Sequence, residues 1–216
     1  IPVSNQVACL GVLVDSEMTF AAHIKRLAGR CFYQLRQIRT VRRALTVEAS
    51  RTLVHAFIIS RVDYCNAVFG STNAVHLRPL QSVLNAAARL IVRKRKYDPI
   101  TASIRDDLHW LPVQQRHHYK LLLLVYKSLH DLAPSYLAKQ CIPVPNTESL
   151  ERLRTNMQND LVRPRTKLVN YGDRSFGSSG PKLWNQLPAD IRDPSLTLKQ
   201  FTKRLKTVLF NKAYYA

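Results

Sequence analysis

Between Glu17 and Glu48 the chain holds no acidic side chain, while Lys25, Arg26, Arg30, Arg36, Arg39, Arg42 and Arg43 are all cationic. Solvated charged faces usually mix signs, whereas a run of one sign suits a surface that faces phosphates. A second run, Arg93-Lys94-Arg95-Lys96, places four cations side by side. The whole chain carries 33 Lys and Arg against 14 Asp and Glu, a net charge of +19. Self-repulsion of that size opposes compaction, so it points to a polyanionic partner, and RNA, an RNA–DNA hybrid or DNA is the expected one. The alternative is a protein that is merely basic, because net charge governs association rather than fold.

Covalent chemistry finds little footing. Ser, Cys, His and acidic residues all occur, but no G-x-S-x-G elbow places a nucleophile. There is no phosphate-cradling G-x-x-x-x-G-K-[ST] and no G-x-G-x-x-G, and the chain has only six glycines to build one. The adjacent Asp106 and Asp107 invite a metal reading, because polymerases hold two cations with paired carboxylates. Their setting argues against it: Ile104, Leu108 and Leu111 recur at i, i+4 and i+7, which leaves the aspartates on the exposed side of a helix. His117 and His118 are neighbours in sequence, point to different sides of a helix and do not readily share an ion. Cys9, Cys31, Cys65 and Cys141 are far apart and form no C-x-x-C pair, which excludes a zinc knuckle and a dense disulfide framework. No catalytic residue, metal site or cofactor is expected here, and the cysteines are expected to be reduced and the protein intracellular, in nucleus or cytoplasm.

The cations need elements to carry them. At 216 residues with 46% hydrophobic side chains, the chain can bury a sizeable core. Residues 6–14 are aliphatic and β-branched and predict one strand, with Gly11 a bulge or a close backbone approach. Such a strand needs a partner that the rest of the sequence does not obviously supply. Thr19 is placed to cap a long helix whose seam is Phe20, Ile24, Leu27, Cys31, Leu35, Ile38 and Leu45. On that helix Lys25, Arg36 and Arg43 share a strip beside the seam, with Arg26 and Arg30 further round.

Thr46 caps a second, mostly buried helix from Val47 to Phe69, through Val54, Phe57, Ile58, Val62, Tyr64 and Val68. A third runs from Val75 to Val92 and empties into Arg93 to Lys96, where cations complement the helix dipole and can clamp a phosphate. A short helix from Thr101 precedes the central one, which opens at Pro112 and runs to His130 through the aliphatic stretch Leu121 to Val125. That stretch must be surrounded by other elements and is far too short for a bilayer, which needs roughly 20 residues. Residues 141–180 are rich in Pro and Arg and predict a linker, loop or β-ribbon, with partial disorder as the alternative. A terminal helix has Leu198, Phe201, Leu205, Val208 and Leu209 on its seam. The fold class expected is thus mainly α, a helical bundle with one N-terminal strand.

Several short segments resemble a known family. The run Leu10 to Asp15, then Met18 to Ile24, then Arg61-Val-Asp-Tyr-Cys65, then Leu111-Pro112-Val113 with Arg116, is similar to the C-terminal part of LINE-type, jockey-like non-LTR retrotransposon reverse transcriptases. The stretch from Gly180 through Trp184, Asn185, Leu187 and Pro188 to Arg192, then Phe201, Leu205 and Lys206, resembles the end of the same reading frames. Each segment is weak alone, and their ordered succession along nearly the whole chain makes the likeness specific.

The resemblance implies that Leu10 and Gly11 belong to the strand at the primer grip and that Phe20 to about Tyr97 forms the thumb. It also implies that the catalytic aspartates, and the Mg they hold, belong to a palm upstream. The Met-less start at Ile1 and the strand without a partner fit that expectation of a fragment or decayed copy, and no signal peptide pattern is visible. The divisions expected are 1–18 (palm remnant), 19–140 (thumb-like bundle), 141–180 (linker) and 181–216 (terminal helical segment). The expected role is to hold the template–primer backbone, through Lys25, Arg26, Arg30, Arg36, Arg39, Arg43 and Arg93 to Lys96, without polymerase activity of its own. Two competing expectations are a helical interaction module that holds a protein partner through Trp110 and Trp184, and a transposon remnant without function.

Overall fold

In the computed structural model residues 4–69, 72–144, 159–168 and 171–215 are described. The architecture is mainly α-helical, with one small antiparallel sheet near the N-terminus. The chain divides into two compact units, one ending at His117 and one beginning at His118. The divisions expected after residues 18, 140 and 180 do not coincide with this one. Of the linker expected over 141–180, residues 145–158 and 169–170 lie outside the described residues.

In the first unit, the single strand expected over 6–14 is folded back on itself. Strands β1 (Gln6–Cys9) and β2 (Val12–Asp15) pair from Gln6 opposite Asp15 to Cys9 opposite Val12. Leu10 and Gly11 form the turn between them, with φ of 46° and 83°. Two consecutive positive φ values are what a two-residue hairpin loop requires, so Gly11 is a turn residue rather than a bulge. The partner that β1 lacked is therefore β2.

Two side chains bind the hairpin to the long helix α1 (Ala21–Val41). The Leu13 N–H donates to His23 Nδ1 at 3.1 Å, and the Asp15 carboxylate accepts from the Thr19 and Phe20 N–H groups at 2.8 and 2.7 Å. Burial raises the Asp15 carboxyl, but the hydrogen bonds from Thr19 and Phe20 outweigh it and leave it below its ordinary value. Asp15, reaching from the hairpin, is thus the anion at the positive end of α1, while Thr19, the expected cap, accepts from the Ala21 N–H at 3.3 Å.

The seam of α1 buries Ile24, Ala28, Cys31, Leu35 and Ile38, and packs on α4 (Ala74–Ile91). Ala87 and Ala88 on α4 are fully buried, small enough to let the helices approach closely. Asn73 caps α4 by accepting from the Val75 N–H.

Between them the helix expected from Val47 to Phe69 is interrupted. It comprises α2 (Val47–Val54), a π-helical turn (His55–Ile59), α3 (Ser60–Asp63) and a separate 3₁₀ turn (Asn66–Phe69). Thr46 does cap α2, accepting from the Ala49 N–H. The wider turn adds a residue to the winding, so Ile58 and Ile59 are both buried while Phe57 is turned outward, 42% exposed. Tyr64 and Val68, expected inside, are half exposed for a different reason: extended Tyr64 and Cys65 at φ 51° end the helix at Asp63.

The first unit ends in a π-helical turn (Ser103–Asp107) and the start of α5 (Val113–Leu129), for which Pro112 supplies the first carbonyl.

The second unit holds the rest of α5, with α6 (Ser135–Ala138), α7 (Phe176–Trp184) and α8 (Leu198–Tyr214). Its core stacks Tyr126 on Phe201 at 4.2 Å and Trp184 on Phe201 at 5.8 Å. A Cβ on Gly180 would come 2.9 Å from Val125, so only glycine lets α7 lie this close to α5. Helix α7 begins inside the stretch expected to be loop, and Thr197 with Gln200 forms a capping box for α8.

Candidate nucleic-acid interface

Arg39 and Arg43, at the end of α1 and in the 3₁₀ turn that follows, share one groove of about 340 Å³ with Arg93, Lys94, Arg95 and Lys96, which follow α4. The two cation runs singled out in the sequence, some fifty residues apart, therefore form a single surface. Arg42 and Arg89 line the same groove.

Arg42 ties the two runs together where α1 packs on α4. Its guanidinium is buried, donating from Nε to Leu90 O and from Nη2 to Ile91 O, both at 2.8 Å, and from Nη1 to Leu45 O at 2.9 Å. Leu90 and Ile91 are among the last carbonyls of α4, which have no partner within the helix and carry its negative pole. A planar fork is the side chain suited to satisfy several of them at once. Burial first, and then the neighbouring Arg93 charge, push the Arg42 guanidinium below its ordinary value without discharging it at neutral pH.

The backbone contributes as well. Arg93 takes a left-handed φ of 58°, the position after a helix where glycine is common, and the Lys94 N–H returns to Arg89 O at 3.0 Å. This reversal folds residues 94–96 back beside α4 instead of letting them run on.

The groove's cations divide into two kinds. Arg89 donates to Asp98 O, Arg93 to Leu45 O and Lys94 to Pro99 O, so part of their capacity is used on the fold. Arg39, Arg43, Arg95 and Lys96 are exposed. The ion pairs among the described residues join Arg105 to Asp106, Arg116 to Asp63, Arg163 to Asp173 and Arg192 to Asp160, and include none of the groove's cations. Bonds to loop carbonyls account for the first kind, and of the second kind Lys96 lies over the Tyr97 ring.

The remaining expected contacts separate. Arg26 and Arg30 line a different, smaller cavity together with Arg61, near the hairpin turn. Lys25 and Arg36 are exposed and line neither site. Leu10, at the hairpin tip, is 85% exposed, and its carbonyl accepts from the Tyr64 hydroxyl at 2.8 Å. Leu10 and Gly11 are thus the turn of a hairpin and not part of a continuous strand. Arg42, Arg61 and Arg89 were missed as members of these sites: nothing in the sequence marks Arg42 and Arg89 as carbonyl-binding, and Arg61 reaches its cavity only through the packing of α3 beside α1.

Some of the short sequence segments are contacts of one another. Arg116 Nη1 donates to Asp63 Oδ2 at 2.8 Å and its Nε to Leu111 O at 2.9 Å, while Tyr64 holds Leu10. Three runs spread over a hundred residues are joined by three side chains.

Asp106 is held by Arg105 at 2.7 and 2.9 Å, an exposed pair, and Asp107 is also exposed. Among the described residues no cluster of three or more His, Cys, Asp and Glu could hold a metal ion. His117 is buried near Phe69 in the first unit, and His118 is packed in the second, where burial and Lys212 push it down to about 4. The cysteines are free thiols, and burial raises Cys31 to about 11. Both tryptophans lie in cores, Trp110 at 5% and Trp184 at 2% exposure, so the expected Trp-based partner surface is not present. No described helix is long and apolar enough to cross a membrane.

Comparison with protein-family models, with curated proteins and with solved structures gives no match.

Proposed function

We propose that the chain binds nucleic acid through the groove at the ends of α1 and α4, holding the sugar-phosphate backbone of an RNA–DNA hybrid or related duplex. One observation carries this: exposed Arg39, Arg43, Arg95 and Lys96 come from two distant parts of the sequence and line one groove with no carboxylate among its lining residues. Contacts of this kind position a duplex and read no sequence. The ordered motifs, and the way Arg116, Asp63, Tyr64 and Leu10 join them, support the further proposal that the chain is the thumb and downstream part of a non-LTR retrotransposon reverse transcriptase. In that reading the chemistry belongs to carboxylates elsewhere and this part grips the substrate.

The test is anisotropy with an RNA–DNA hybrid across a salt series. The logarithm of affinity should fall linearly with the logarithm of salt, at about 0.9 per phosphate neutralised on a B-form duplex. Arg39→Gln, Arg43→Gln, Arg95→Gln and Lys96→Gln together should make that slope shallower by about 3 to 4. A slope that does not change removes the groove from the interface, and no binding in dilute buffer ends the proposal.

A further inference from the structure

We propose that the cavity beside the hairpin turn is a receptor for a phosphomonoester, the doubly charged group carried by a mononucleotide or by the 5′ end of a polynucleotide. Its walls are Arg26 and Arg30 from α1, Arg61 from α3, and His23, Ser60 and Tyr64. The cavity is about 250 Å³, ample for a phosphate group.

Three guanidiniums around so small a space repel one another. No carboxylate lines the cavity, and none of the three belongs to the ion pairs among the described residues. A bound anion would relieve that repulsion, and each planar fork can meet two phosphate oxygens at once. Three such charges match a phosphomonoester, at about −1.5 to −2 with three terminal oxygens, better than the single charge of a backbone diester.

The other polar groups are already committed. His23 accepts the Leu13 N–H at Nδ1, and burial with the Arg26 and Arg30 charges lowers its proton affinity, so it stays neutral there. The Ser60 hydroxyl donates to Ala56 O and the Tyr64 hydroxyl to Leu10 O. Recognition therefore falls to the arginines, and the Tyr64 bond fixes the hairpin tip against one wall. Gly11 lines that wall at φ 83°, which a side chain tolerates poorly. The cavity and the groove share no lining residue, so either can fail without the other.

The full chain is titrated with a 5′-phosphorylated dinucleotide, the same dinucleotide bearing a 5′-hydroxyl, and a nucleoside 5′-monophosphate. The phosphorylated dinucleotide should bind at least about tenfold more tightly than the hydroxyl form. Arg61→Gln should erase that difference, and the pair Arg95→Gln and Lys96→Gln should preserve it. If Arg61→Gln loses its circular dichroism spectrum, Arg30→Gln serves the same purpose. A monophosphate that binds as tightly as the dinucleotide identifies a free nucleotide as the ligand, and one that binds more weakly identifies a polynucleotide end. Equal binding of the phosphorylated and hydroxyl forms, or a difference that survives Arg61→Gln in a folded protein, overturns the proposal.

Discussion

The two ends of α1 carry the same residue types to different purposes. At its C-terminal end, cations meet the cations that follow α4 in an open groove, and Arg42 and Arg93 spend hydrogen bonds on carbonyls to hold them there. Near its N-terminal end, Arg26 and Arg30 meet Arg61 in a smaller cavity, and none of the three belongs to the ion pairs among the described residues. The contrast teaches that a cationic run on one helix is not one surface. What each residue does is decided by the element packed beside it, and Lys25 and Arg36, with no such neighbour, stay on the solvated face.

The largest expected effect breaks the groove. With Arg39, Arg43, Arg95 and Lys96 all changed to Gln, affinity for hybrid near 0.1 M salt should fall on the order of a thousandfold, while Arg26→Gln with Arg30→Gln leaves the slope nearly unchanged. Equal losses from the two sets in the salt series would mean that the sites act as one. Next comes the clamp itself. Arg42→Ala should destabilise the first unit by about 3 kcal/mol in denaturant titration, because carbonyls at the end of α4 lose charge-assisted partners. Arg42→Lys should recover less than half, since an ammonium cannot fork; full recovery would reduce Arg42 to a bare charge.

A third prediction separates the two units by pH. His118 has an ordinary value near 6.5 when unfolded and about 4 when folded, so the unfolded chain takes up the proton first. The second unit should hold its full stability above about pH 6.5 and lose it as pH falls toward about 4, and His118→Gln should flatten that stretch of the curve. His23 is shifted in the same direction, so the hairpin should loosen over a window that opens near 6.5 and extends below it. Hydrogen exchange at Leu13 against exchange in α8 would resolve one from the other. The smallest effect sharpens the cavity: Tyr64→Phe should speed amide exchange in β1 and β2 by roughly two- to tenfold and leave global stability alone.

Much of the helical framework was legible because periodicity is a property of neighbouring residues. The α1 seam, the Thr46 cap and the Pro112 start needed only spacing and local chemistry to read. The π turn at His55–Ile59 was not legible, since its pattern of apolar residues is compatible with an unbroken helix and only packing shows that Phe57 faces out. The hairpin was missed because the turn uses leucine at a positive φ, where asparagine or glycine would have announced it. Arg42 was missed as a clamp because its partners are main-chain carbonyls nearly fifty residues away, which no spacing rule reaches.

By itself the sequence determined that this is a strongly basic, mainly helical chain with one-signed charge on α1 and after α4, since composition and period are local facts. Tertiary structure alone decided which cations share a surface. That choice depends on where α4 ends against α1, and on a buried guanidinium whose hydrogen bonds exist only once both helices are in place.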